Sequence, residues 1–515
     1  MRTLFILMDS LNRRFLDLYG AEEPALTPNI DRLAARSVVF DQHWCGSSPC
    51  MPARRDIMTG RLNFMERPWG GIEPYDHTLG ALLAEKNVYT HMETDHFHYA
   101  ERGGENYWGH FTSWNLHRGT EHDAIHWGPD KTGVPDRTPP AGYCGLYSPS
   151  YEEARRLWQR DGSQYPTPRT FSSAAEWLER NQDADNFLLW VEAFDPHEPF
   201  DVPEEFLELY PDDEKNPGPG DPYWPDYISA DNYTPEQIRY FRRRYKALLT
   251  MADRYLGKLL DVLDRHHMWD DTLVILTTDH GYLLGEHGFM AKCYMPDYNE
   301  IHHIPLMISM PGAAPGRCQA LTENIDLFPT LLSCFGVSLD RCRNPIHGKS
   351  LLPLLRGEAE TVRDELLFGM FGKTVGLYDG RYVYLCAKVR EENEPLYIYG
   401  ANMSVLNAYI GYDTMSREEI DTIEMGRFLL WTNFPVYRVP AASCHWNNNG
   451  CGFARLYRYI DGSALYDLCT DYAQQHPLED PVLERSMRKK LIRAMRLHDA
   501  PKDQFIRLGL EVETE

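Results

Sequence analysis

Cys50-Met51-Pro52-Ala53-Arg54 sets a thiol four positions ahead of a guanidinium, and Thr59-Gly60 follows shortly after. A thiol can be a small buried apolar group, pair with the nearby Cys45, or do covalent chemistry. A guanidinium is always charged, and its fork of donors matches the oxygens of an oxyanion. Other chemically capable residues are spread along the chain. Asp9 closes the apolar run 4–8, Asp195-Pro196-His197 closes the run 187–194, and Asp279-His280 follows the run 272–276. Lys292 ends His287-Gly288-Phe289-Met290-Ala291-Lys292, and Thr94-Asp95-His96-Phe97-His98 carries two imidazoles. Carboxylates in general are hard oxygen donors suited to Ca²⁺, Mg²⁺ or Mn²⁺. A histidine such as His197 titrates near neutrality, where proton transfer needs it. Each has an ordinary structural explanation too, as a helix cap, a loop histidine or a solvated lysine.

These residues need elements to bring them together. Residues 4–8, 187–194, 272–276 and 306–309 are short, nearly continuous apolar runs and predict buried strands; Glu192 alone interrupts the second. Thr27-Pro28 predicts a helix over 30–35, and residues 172–181 predict another. Tyr245, Leu248, Ala252, Tyr255, Leu259 and Leu263 recur at intervals of three or four, predicting a long helix over 240–263. Strands alternating with helices predict an α/β fold with a large, mostly parallel sheet covered on both faces. In such sheets ligands bind beyond the carboxyl ends of the strands. Three strands therefore deliver acids and imidazoles to one edge.

A boundary is expected near residue 360, after the apolar segment 351–355 and the polar stretch that follows. Residues 1–360 then form a catalytic α/β domain and 361–515 a smaller α+β unit. In the second unit, 366–370, 374–378 and 382–385 predict short antiparallel strands, Asp379-Gly380 a hairpin turn, and 481–497 a basic helix. Residues 100–165 and 198–235, rich in Gly, Pro, Trp, Asp and Tyr, predict long insertions that wall a pocket.

At 515 residues the chain exceeds the size of most single cores. Its hydrophobic content of 43% is that of a globular protein. The net charge of −24 argues against a nucleic-acid partner, which calls for a basic face. An anionic substrate would need a local cationic pocket, and Arg54, Lys292 and His197 could build one. The run 4–8 is too short for a membrane span or a signal segment. Eleven cysteines, an odd count with no regular spacing, fit reduced thiols. A cytoplasmic protein without a membrane partner is expected.

Cys50-Met51-Pro52-Ala53-Arg54 with Thr59-Gly60 resembles the C-x-P-x-R signature of the sulfatase family of the alkaline phosphatase superfamily. The resemblance implies that Cys50 is oxidised to formylglycine by a formylglycine-generating or radical maturase. The aldehyde hydrate would offer one hydroxyl to attack sulfur and another through which the aldehyde reforms as sulfate leaves. Arg54 would hold the diol or the sulfate. Asp9, Asp279 and His280, with residue 50, resemble the family's metal ligands and imply one divalent ion: Ca²⁺, the family's usual one, with Mn²⁺ or Mg²⁺ as alternatives. Ser10 stands where many members have a second acid, and His280 where many have Asn. These departures lean towards Mn²⁺ and towards phosphonate monoester hydrolases. Asp195-Pro196-His197-Glu198-Pro199-Phe200 resembles the segment whose histidine meets the ester oxygen. Lys292 resembles the family's sulfate-binding lysine, although His303-Ile304 replaces Arg-Val before Pro305-Leu306. Thr94-Asp95-His96-Phe97-His98 lies where many members have Gly-Lys-Trp-His, and either His96 or His98 could face the nucleophile. Leu465-Tyr466-Asp467-Leu468 extends the resemblance into the C-terminal unit.

The implied activity is hydrolysis of a small sulfate ester, a sulfated sugar or aryl sulfate. Two alternatives stay open. One is phosphonate monoester or phosphodiester hydrolysis; the other is anion or glycan binding without catalysis if Cys50 remains a thiol. A two-metal Zn²⁺ phosphatase would need more His and Asp ligands than the sequence supplies. Self-association is left open.

Overall fold

The computed structural model describes residues 1–101, 104, 106–121, 123, 151–152, 155, 162–211, 223–405, 408–445 and 462–510. Much of the predicted insertion at 100–165, and residues 212–222 of the second one, lie outside the described residues.

The central sheet has eight strands. In spatial order they are Gly316–Cys318, Val38–Phe40, Leu306–Ser309, Thr272–Thr277, Arg2–Met8, Phe187–Ala193, Tyr89–Thr94 and Ser113–Leu116. Only Leu306–Ser309 runs against its neighbours; every other pairing is parallel. The four apolar runs are strands, as expected. Their unbroken hydrophobicity follows from burial on both faces. Leu4, Ile6 and Met8 enter one core, while Phe5 and Leu7 enter the other.

The first core holds the helices Pro166–Arg180 and Pro235–Arg265 through Phe171, Leu178, Phe241, Leu248 and Leu259. The second holds Cys50–Thr59 and Leu79–Ala84 through Met51, Ile57, Leu79 and Leu83. The long helix opens on a capping box between Thr234 and Gln237, with Pro235 at its first position. The helix expected over 172–181 starts earlier, at Pro166. Pro166 and Pro168 lie in its first turn, where a missing N–H costs nothing. Among the described residues, no helix is long and apolar enough to cross a membrane.

A five-stranded sheet lies beside the first, in the order Ala464–Asp467, Tyr382–Cys386, Val375–Tyr378, Leu366–Met370 and Ser47–Ser48. Asp379 accepts hydrogen bonds from the Arg381 and Tyr382 amides, and Gly380 turns at φ 90°, which makes the expected hairpin. Met487, Leu491 and Met495 of helix Pro481–Leu497 pack on this sheet against Leu367, Leu377 and Tyr384. Its last strand bears on the chemistry. Ser47–Ser48 belongs to the N-terminal part of the chain, pairs in parallel with Leu366–Met370, and ends two residues before Cys50.

Candidate active site

Cys50 is the first residue of helix Cys50–Thr59, and Arg54 lies one turn later on the same face. The spacing explains itself. The Arg54 Nη1 donates to the Cys50 carbonyl at 3.0 Å, while its side chain runs back along the residue-50 face. Pro52 falls within the first turn and removes no helical hydrogen bond. Gly60 ends the helix at φ 70°. The start of a helix, with its free amides, favours negative charge beside residue 50.

The start of this helix is fixed from below. Asp56 accepts hydrogen bonds from the Ser47 amide at 2.7 Å, the Ser47 hydroxyl at 2.8 Å and Asn63 Nδ2 at 2.7 Å. Cys45 donates its thiol hydrogen to the Ser47 carbonyl at 3.2 Å. It is not bonded to Cys50, and all nine described cysteines are free.

Four adjacent parallel strands converge on residue 50. Thr272–Thr277 leads to Asp279 and His280, Arg2–Met8 to Asp9 and Ser10, Phe187–Ala193 contributes Glu192 and leads to His197, and Tyr89–Thr94 leads to His96. Donor atoms of Asp9, Cys50, Asp279 and His280 all lie within 4.8 Å of one another, and all four residues are buried. The His280 Nδ1 faces the Gly281 carbonyl at 2.8 Å. A carbonyl only accepts, so Nδ1 carries the hydrogen. Nε2 is left with a lone pair, 3.2 Å from the Cys50 sulfur. Two carboxylates, a neutral imidazole nitrogen and residue 50 make a donor set that fits a divalent cation.

Arg54 lies against the same carboxylates. It donates to Asp9 at 2.9 Å, Asp279 at 2.6 Å and Glu192 at 2.6 Å, with every partner fully buried. Burial alone would raise the Asp9 pKa, but Arg54, Lys292 and His280 outweigh it and hold it down at about 2. Burial pushes the Cys50 thiol well up, and Asp9 adds to this. An unmodified Cys50 is therefore a neutral thiol, poorly suited to attack.

Lys292 Nζ stands 3.6 Å from the Cys50 sulfur and donates to Ser10 Oγ at 3.2 Å; Ser10 in turn donates to Asp9 at 2.8 Å. Burial opposes its charge, but Cys50, Glu198 and Asp9 reverse this and raise the Lys292 pKa. The two imidazoles near residue 97 diverge. His96 Nδ1 lies 3.5 Å from Asp9 and 3.3 Å from Arg54, whereas His98 turns to Glu101 at 2.6 Å and Glu121 at 3.4 Å. His197 is buried, with Nδ1 donating to the Glu198 carbonyl at 2.5 Å. Burial, reinforced by Lys292, holds the His197 pKa well below its usual value.

Two acids at this site carry more than sequence reasoning assigned them. Glu192 was visible as the lone acid in an apolar strand, which calls for a buried partner; Arg54 supplies it, with Tyr99 and Trp190 on the other oxygen at 3.0 and 3.1 Å. Glu121 sits in an insertion, and no local pattern marked it.

A family model described as Sulfatase matches residues 2–337. The chain is 28% identical over 415 residues to the choline-sulfatase of Rhizobium meliloti, covering 75% of this chain and 78% of that one. It is 26% identical over 440 residues to the iduronate 2-sulfatase of Homo sapiens, covering 69% of this chain and 74% of that one. The solved phosphonate monoester hydrolase of Agrobacterium radiobacter shares the fold with a TM-score of 0.63 at 19% identity, covering 99% of this chain and 97% of that one. A structure solved with its substrate D-glucosamine-2-N,6-O-disulfate gives 0.62 at 16% identity, covering 96% and 98%. By the family match across most of its length, the chain belongs to the sulfatase family, the sulfate ester hydrolases of the alkaline phosphatase superfamily.

Proposed function

We propose that the chain hydrolyses a small sulfate ester, a sulfated sugar or aryl sulfate, with formylglycine made from Cys50 as its nucleophile. The observation that carries this reading is the position of Cys50: it shares one buried donor cluster with Asp9, Asp279 and His280 at the start of the helix that also bears Arg54. The hydrated aldehyde supplies an attacking hydroxyl and a second hydroxyl through which sulfate is expelled. Asp9, Asp279, His280 and residue 50 would hold a divalent cation, which would supply positive charge beside the nucleophile. Ca²⁺ follows from the family resemblance, and the imidazole donor makes Mn²⁺ the competitor.

The remaining work falls to this chain's own side chains. Arg54 orients residue 50 and stays charged throughout. Lys292 presents its ammonium to the non-reacting sulfate oxygens, where charge accumulates as the ester bond breaks. His197 points Nε2 at the ester oxygen, because Nδ1 is tied to a carbonyl. The imidazole is neutral in the empty pocket. The anionic ester raises its pKa, and it then delivers a proton to the departing alcohol. His96 takes the proton of the second hydroxyl; its Nε2 is buried and has no hydrogen-bond partner among the described residues. A formylglycine-generating or radical maturase makes the nucleophile, and the free cysteines accord with a reducing, cytoplasmic setting.

Phosphonate monoester or phosphodiester hydrolysis is the second reading, favoured by His280 directly after Asp279. Paired assays separate the two. Sulfate release from an aryl sulfate that exceeds turnover of the matching phosphonate monoester supports the first reading, and the reverse order supports the second.

A further inference from the structure

We propose that Ser10 is a positioning residue: its hydroxyl, anchored on Asp9, aims the Lys292 ammonium at the sulfate oxygens without cancelling its charge. The inference rests on the sulfatase reading of the pocket and names the group on which the sulfate-binding lysine depends.

Ser10 is fully buried just past the strand Arg2–Met8, and each of its polar groups is engaged. The amide donates to Asp279 Oδ1 at 3.0 Å, the hydroxyl donates to Asp9 Oδ1 at 2.8 Å, and the carbonyl accepts from the Tyr245 hydroxyl at 2.8 Å. Tyr245 belongs to the helix Pro235–Arg265 and also accepts from the Asn12 amide at 2.9 Å. Two strand ends and the long helix thus hold one serine. Its backbone lies in the left-handed region at φ 59°. A residue other than glycine adopts that conformation only where its surroundings impose it. The bonds of the amide and the carbonyl impose it here.

A carboxylate only accepts, so the single hydrogen of the Ser10 hydroxyl goes to Asp9. The oxygen's lone pairs are left for Lys292 Nζ, 3.2 Å away. The chain from Lys292 through Ser10 to Asp9 therefore has one direction, from ammonium to hydroxyl to carboxylate, and each bond polarises the next.

A lysine needs such a guide, because its point charge sits on a flexible four-carbon stem. Among the described residues, the Lys292 ammonium meets two acceptors, Ser10 Oγ and the Cys50 sulfur at 3.6 Å, and both are neutral groups. A carboxylate in place of Ser10 would pair with the ammonium directly and cancel its charge. A hydroxyl fixes the direction and leaves the charge, with at least one hydrogen, for the oxygens of the sulfate.

Ser10→Gly removes the hydroxyl alone, because glycine adopts this φ freely and keeps the amide and carbonyl bonds. The test is a double-mutant cycle with Lys292→Met, read as kcat/KM on 4-nitrophenyl sulfate, with bound metal counted by elemental analysis. We expect Ser10→Gly to keep its metal and to lose about 10- to 100-fold, the worth of a hydrogen bond to a charged group. Once residue 292 is methionine, Ser10→Gly should cost less than about twofold more. A loss of general structural origin would instead add in full to that of Lys292→Met, and this outcome overturns the proposal. A Ser10→Gly enzyme as active as the unaltered one also overturns it. So does loss of bound metal with activity restored by added metal, which would confine the role of Ser10 to Asp9. If the unaltered protein with formylglycine at residue 50 releases no sulfate, the sulfatase reading fails instead. The tie is then judged by calorimetric titration of inorganic sulfate. Binding that Ser10→Gly and Lys292→Met each weaken, and that the double variant weakens no further than Lys292→Met, supports it. Sulfate that does not bind, or that binds Ser10→Gly as tightly as the unaltered protein, overturns it.

Discussion

Arg54 and Glu192 form an ion pair of 2.6 Å in which neither side chain touches solvent. The pair places a fixed cation, held by an acid on the central sheet, beneath the residue expected to become the nucleophile. The same guanidinium bonds Asp9 and Asp279, so three carboxylates depend on one arginine.

The two partners should therefore differ in what their loss costs. Glu192→Gln leaves Arg54 with two carboxylates and should cost about 2 kcal/mol, the worth of a hydrogen bond to a charged group. Arg54→Met strands three buried acids and should cost about 4 kcal/mol or more. Urea unfolding of both variants checks the order, and equal losses would contradict it.

Removing the divalent ion should have the same sign. Donor atoms of Asp9 and Asp279 lie within 4.8 Å of one another, and a bound cation would relieve the repulsion between the two carboxylates. Chelation should abolish turnover and lower the Tm, and restoring the ion at about a hundredfold excess over its Kd should add about 2.7 kcal/mol of stability. Asp279→Asn should lose both responses. A Tm indifferent to chelator in the unaltered protein would count against a metal in this cluster.

His197 and Lys292 should separate by leaving group. His197→Ala should lower kcat about 10²- to 10⁴-fold on a sulfated sugar, whose alkoxide needs a proton. The loss should be far smaller on an aryl sulfate with an acidic phenol. Lys292→Met should cost about 10²-fold or more on both, because it acts on the sulfate oxygens common to them. An equal penalty for His197→Ala on the two esters would remove it from the leaving-group step.

Stability against pH has a readable histidine component. Burial pulls His498 down from 6.5 to about 3, with His347 adding to it, and burial pulls His347 down to about 4 against its Asp499 partner. In the unfolded chain both protonate below pH 6.5; in the folded chain they resist. The fold therefore loses stability on their account as pH falls from 6.5 towards 4. Buried acids slope the other way, since burial pushes Asp56 and Asp95 up to about 7. The effect is thus a difference: His498→Gln should lose less stability than the unaltered protein between pH 7 and pH 5. A parallel pair of curves would contradict the assignment.

Much of the catalytic part was legible because its physics is local. A strand buried on both faces must be apolar throughout, so residues 4–8, 187–194 and 272–276 announced themselves, and the acids at their ends marked one edge of the sheet. The Cys50-to-Arg54 spacing was legible as a motif, although its cause, one helical turn, needed the helix to be seen. Three features were hidden. His96 and His98 cannot be told apart by sequence, because a short 3-10 turn at Phe97–Ala100 decides which way each ring faces. The Ser47–Ser48 strand is two residues long and pairs with a segment more than three hundred positions away, so no local pattern encodes it. Glu121 owes its place to packing against His98 and His197, which are distant in sequence.

The central claim is that residue 50 reacts as an aldehyde and not as a thiol. The direct measurement is peptide mass analysis of residue 50 with a carbonyl-reactive probe, run on preparations of differing maturation and compared with their rates of sulfate release. The account predicts a labelled residue 50 and a rate proportional to the labelled fraction, with none left in Cys50→Ala. Full turnover by protein whose residue 50 is entirely thiol would contradict it.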